Sequence, residues 1–207
     1  MNKTKEITEA GLFAALLVVV ITGVYYIPLL GGILLMFAPV TIVILTMRVK
    51  PLYVATSTAV GILLAGMLIT IPSSVAIGAF AFCIGMPIGL GLKQRYNGLT
   101  IFFMGTVGAA IGFFISLELV ELVTGISFIG LLEESFPVSM DIQAQMSAMF
   151  EDLGVKNSYS AEEFKKVLDE GLFALKLLFP SLIIMSSMIY SIINLLMSVQ
   201  ILKRLKI

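Results

Sequence analysis

The run AGLFAALLVVVITGVYYI (residues 10–27), halted by Pro28 and followed at once by LLGGILLMFAPVTIVILTM (residues 29–47), decides the fold. Neither stretch contains a charge, and each approaches the roughly 20 apolar residues that a helix needs to cross the hydrocarbon core of a bilayer. Working outward, the same reading predicts spans at 52–71, 75–92, 99–123 and 172–202. Pro28 with Gly31 and Gly32 divides the first pair, and Pro72, Ser73 and Ser74 divide the third from the fourth. The whole chain, 207 residues, is 59% hydrophobic and 13% charged, with a mean hydropathy of +1.08. Soluble domains carry roughly 25% charged residues, so lipid must cover much of this surface. The expected fold is an all-α integral membrane bundle of six helices, forming one membrane domain over residues 1–207 and lying in a lipid bilayer. Lys3 and Lys5 ahead of an apolar run imitate a secretory signal. The run is too long for one, lacks an A-x-A-like cleavage site and leads straight into a second span, so it is read as a retained helix.

Charge placement predicts the orientation. Lys3, Lys5, Arg48, Lys50, Lys93, Arg95, Lys203, Arg204 and Lys206 fall on one side of the six spans, with only Glu6 and Glu9 opposing them, which makes that side +7. Between Glu118 and Lys176 there are eleven acidic and four basic residues, or −7, on or near the other side. The positive side is expected in the cytoplasm of a cell (plasma) membrane protein, with both termini there. The segment 124–171 is long for a membrane loop and has helical apolar patterns at Ile142, Met146, Met149, Phe150 and Leu153, then at Phe164, Val167, Leu168 and Leu172. Ser160 with Glu163 has the form of a capping box. Two short amphipathic helices on the outer face are expected, as a solvated loop or as a functional lid.

Composition also removes several chemistries. Cys83 is the only cysteine and histidine is absent, so the chain can form no internal disulfide, no Cys/His zinc site and no histidine general base. Carboxylate sites for magnesium or calcium stay open. No G-x-x-x-x-G-K-[ST] element occurs, so the chain is not expected to hydrolyse ATP by that route. We expect no enzyme, no catalytic residue, no resident metal or cofactor and no nucleic-acid partner.

Four features could bear function. Ala10 and Ala14, with Gly11 and Ala15 beside them, are small residues spaced to admit another helix, as are Gly61/Ala65, Gly105/Ala109 and Gly108/Gly112. Gly85, Pro87, Gly89 and Gly91 predict a kinked or partly unwound half of the fourth span, either as structure or as a ligand contact. Ser187, Ser191, Asn194 and Ser198 share one face of the last span, bordered by Tyr190, and should look into the bundle. They serve there in helix packing or in binding a substrate. Glu118, with Glu121 close by, is an acid near the outer end of the fifth span and serves either as a functional group or as an interface marker. From these residues a small-molecule site is expected in the outer half, with Glu118 supplying charge, Ser187 and Tyr190 neutral polar contacts, and Asn194 orienting its neighbours.

The opening Lys-Glu-Ile-Thr-Glu-Ala-Gly-Leu-Phe-Ala-Ala-Leu, with Ala10-x-x-x-Ala14, resembles the start of the substrate-binding S components of energy-coupling-factor (ECF) transporters. The six-span plan is similar too. More closely, Phe179-Pro180-Ser181, Ser186-Ser187, Asn194 and the final Ile201-Leu202-Lys203-Arg204-Leu205 resemble the YybS-like predicted membrane proteins of Gram-positive bacteria. Members of that family run on beyond the Lys-Arg-Leu element, where this chain stops at Ile207 as a short or a truncated member. The resemblance implies a membrane subunit that binds and takes up a small molecule. A separate ECF transmembrane coupling subunit and its ATPases would be its partners, with Ala10 and Ala14 on the coupling surface. The alternative is a non-transporting scaffold or regulator of envelope processes.

Overall fold

A helix is the span that satisfies its backbone groups within its own segment, and in this chain proline stands at the start of three of the helices. The structure, a computed structural model, describes residues 3–127, 129–130 and 161–205. Six of its helices are long and apolar enough to cross a membrane: α1 (Lys3–Tyr26), α2 (Pro28–Arg48), α3 (Pro51–Leu68), α4 (Ile71–Lys93), α5 (Gly98–Thr124) and α6 (Ala161–Leu205). No strand occurs among the described residues. Pro28, Pro51 and Pro72 each stand in the first turn of a helix, where the missing N–H has no partner to lose.

Pro72 therefore belongs to α4 and does not lie in a linker. Thr70 is the N-cap, accepting from the Ser73 amide at 3.4 Å, and α3 stops at Leu68 instead of running to residue 71. The glycine-rich end of α4 is not unwound, because the helix runs unbroken from Ile71 to Lys93. Its glycines are places where neighbours come close. A Cβ on Gly85 would stand 2.5 Å from the Pro39 carbonyl oxygen of α2, and one on Gly89 would stand 2.6 Å from Thr46 Cβ. The last helix starts at Ala161, so the apolar pattern at Phe164 and Val167 continues into α6 and does not form a short helix of its own. The pattern at 142–153 and the cap at Ser160 lie outside the described residues.

Packing divides the chain into two units. The first comprises Met1–Leu119 and Ile183–Ile207, and the second Val120–Leu182. In the first unit, Phe13, Leu17 and Ile21 of α1 meet Ile42 and Leu45 of α2, Val54 and Ala65 of α3, and Ala81 of α4. A second cluster joins Val43 of α2 and Phe80, Ile84 and Ile88 of α4 to Ile101 and Ala109 of α5 and Leu202 of α6. Thus α2 and α4 contribute to both clusters. The second unit contains the end of α5 and the start of α6, where Val167, Phe173 and Leu177 are exposed.

One end of the first unit gathers basic side chains. Arg48, at the close of α2, forms a 4.0 Å ion pair with Glu9 of α1. The Lys93 ammonium donates to the Thr46 and Val49 carbonyls at 2.8 and 2.6 Å, which satisfies groups that the end of α2 leaves open.

Candidate functional site

Periodicity alone places Ser187, Ser191, Asn194 and Ser198 on one stripe, and the structure turns that stripe fully inward: all four are 0% exposed. Two of their polar groups bond within the helix. The Ser187 hydroxyl donates to the Ile183 carbonyl at 2.7 Å, and the Asn194 amide nitrogen donates to the Tyr190 carbonyl at 2.9 Å. Ser191 reaches across to α5, donating to the Phe102 carbonyl at 2.8 Å where Gly105 leaves room for it. Asn194 Oδ1 and Ser198 Oγ are buried without a partner among the described residues. An unmet acceptor in such surroundings costs about 1–3 kcal/mol, so these atoms mark the least settled point of the stripe.

Tyr190 borders the stripe as expected. Its ring meets Phe80 of α4 and Phe113 of α5 edge-on, with centroids 5.2 and 5.7 Å away, and those two rings meet each other at 4.9 Å. This three-ring cluster fixes the tyrosine against α4 and α5. The group can supply shape, aromatic contact and neutral hydrogen bonds, and its side chains include no carboxylate, amine or imidazole.

Glu118 is not brought to this group. On α5 the Ser116 hydroxyl faces α4, 3.4 Å from the Ala76 carbonyl. Two residues further on, at about 100° per residue, Glu118 is turned roughly 200° from it, and it is exposed. About 30 Å of helix separates it from Gly98, the thickness of a hydrocarbon core, which is where an interface acid belongs.

Ala10 and Ala14 are also placed differently from the sequence expectation. Both are buried within the chain, covered by α3: the Ser57 hydroxyl donates to the Ala10 carbonyl at 2.7 Å, and Gly61 lies against the Ala14 carbonyl. That face of α1 is filled, so a partner helix has no access to this pair. Gly11 and Ala15, the parallel small pair, are the ones facing outward. Sequence reasoning missed the Glu9–Arg48 pair and the Lys93 cap because each joins residues about forty positions apart, with no local signal. Among the described residues, no group of three or more His, Cys, Asp or Glu side chains could hold a metal ion.

The family model for "Predicted membrane protein (DUF2232)" matches residues 14–207. No curated protein and no solved structure matches the chain.

Proposed function

Because the chain belongs to the DUF2232 family of predicted membrane proteins, we propose that it is a membrane-embedded subunit that binds a small solute. In plan it resembles an ECF S component, it works with a separate ATPase module, and its basic end lies in the cytoplasm. The buried stripe on α6 carries the proposal. Asn194 Oδ1 and Ser198 Oγ are polar atoms held inside a membrane bundle without partners among the described residues, and polar groups at such depth are retained where they serve binding or passage. Asn194 is nine residues from Lys203, about 13 Å along the helix and so near mid-membrane. The solute that fits is neutral and carries an N–H or O–H donor, since the stripe offers an unmet amide oxygen and no charge. Ser187 and Tyr190 complete the set, and Glu118 acts only at the approach.

Mass spectrometry of small molecules retained by the purified protein tests this. A defined molecule is expected with the wild type. It should be lost from Asn194→Leu and reduced in Tyr190→Phe, with both variants folded. A wild type that retains nothing, or variants that retain as much as it does, would overturn the binding role. The scaffold reading draws on the broad apolar face of α6, where Ile184, Met188, Ile192 and Leu196 are exposed. It predicts co-purifying envelope proteins in place of an ATPase module.

A further inference from the structure

Away from the α6 stripe, the seam between α4 and α5 opens into a groove of about 740 Å³. At its floor Pro87 has no N–H to give the Cys83 carbonyl one turn earlier, so that carbonyl lacks its helical donor. Its oxygen lies in the space that a Cβ on Gly108 would occupy. The helices are pinched together there, and the groove lies on the outward side, bordered by Phe103, Val107 and Ile111, all of them half or more exposed.

Shape and polarity both restrict the occupant. On α5 the lining runs from Thr100 to Ile111, about 16 Å at 1.5 Å per residue, which is close to half the roughly 30 Å hydrocarbon core. A lipid chain from one leaflet has the right length for the groove. Apart from the Cys83 thiol, the lining has no ionisable side chain, and its one hydroxyl, on Thr100, is at the basic end. The connector joining α4 to α5 closes that same end and holds Arg95, an exposed residue whose guanidinium pairs with no described residue.

We propose that the α4–α5 groove holds a hydrocarbon chain of an anionic phospholipid, whose headgroup sits at the basic end against Thr100 and Arg95. The site is separate from the solute stripe and does not depend on it. Native mass spectrometry of the full chain, offered phosphatidylglycerol and phosphatidylcholine with identical chains, tests it. One phosphatidylglycerol should be retained, with a preference of about fivefold that Arg95→Gln removes, the discrimination expected of a single arginine near a headgroup. Val107→Trp and Ile111→Trp fill the groove and should each reduce retention at least tenfold, while Leu63→Trp on the exposed face of α3 should leave it unchanged. Equal retention in all three tryptophan variants would overturn the proposal. So would a photo-crosslinker at Phe103 that captures protein and no lipid.

Discussion

Asn194 shows how far a single residue can be understood from its place in the chain. Its inward orientation was legible, because the spacing to Ser187, Ser191 and Ser198 is local and an amide in hydrocarbon must find company. Its incomplete pairing was not, because whether Oδ1 meets a donor depends on side chains from other helices. The same limit misplaced Glu118: depth along α5 can be counted from the sequence, but the direction the helix faces cannot. Asn194 makes one prediction without any ligand. Leucine keeps the branching of the side chain and removes the unmet oxygen, at the cost of a larger group and of the bond to the Tyr190 carbonyl, so in solute-free protein Asn194→Leu should stay within about 2 kcal/mol of wild type in a denaturation series. Asn194→Asp puts a charge in the same place and should destabilise the fold clearly. If Asn194→Leu falls below wild type by more than the roughly 1–3 kcal/mol that overpacking costs, Oδ1 has a partner and the stripe is ordinary packing.

At the scale of elements, six spans were readable because apolar length and proline positions are properties of the chain itself. Several ends lie elsewhere than the sequence predicts because proline and glycine read locally as breakers. Here Pro72 opens a helix, and Gly85 and Gly89 admit α2 to the flank of α4. The contact between α1 and α3 could be read only as a class of contact. Small residues announce a close approach, yet whether the approaching helix belongs to this chain or another depends on Ser57 and Gly61, which stand against Ala10 and Ala14. Leucine at both alanines should push α3 away. Each overpacked site costs about 1–3 kcal/mol, and loss of the Ser57 hydrogen bond adds about 0.6 kcal/mol, the average for membrane helices. Ala10→Leu/Ala14→Leu should therefore lower the melting temperature sharply, whereas Gly11→Leu/Ala15→Leu on the open face should fold like wild type. Two double variants of equal stability would mean that α3 does not hold α1 through this pair.

Across the whole molecule, the partition of charge is the property that packing neither creates nor hides. The structure sets Arg48 and Lys93 at one end of the first unit, with Glu9 beside Arg48. Leu202, next to Lys203 and Arg204, joins the same cluster as Ile101 in the first turns of α5. Arg48, Lys93, Lys203 and Arg204 thus belong to helix ends that do meet, and moving such an end across a bilayer is opposed by the bias that orients membrane proteins. The single native cysteine makes a direct test possible. On a Cys83→Ala background, a cysteine at Gly98 or at Lys203 should resist a membrane-impermeant maleimide in intact cells and react once the membrane is opened. A cysteine at Leu122, 80% exposed near the far end of α5, should react from outside before any permeabilisation. Labelling of Lys203→Cys in intact cells would reverse the orientation, place the basic end outside, and assign the lipid groove between α4 and α5 to the opposite leaflet.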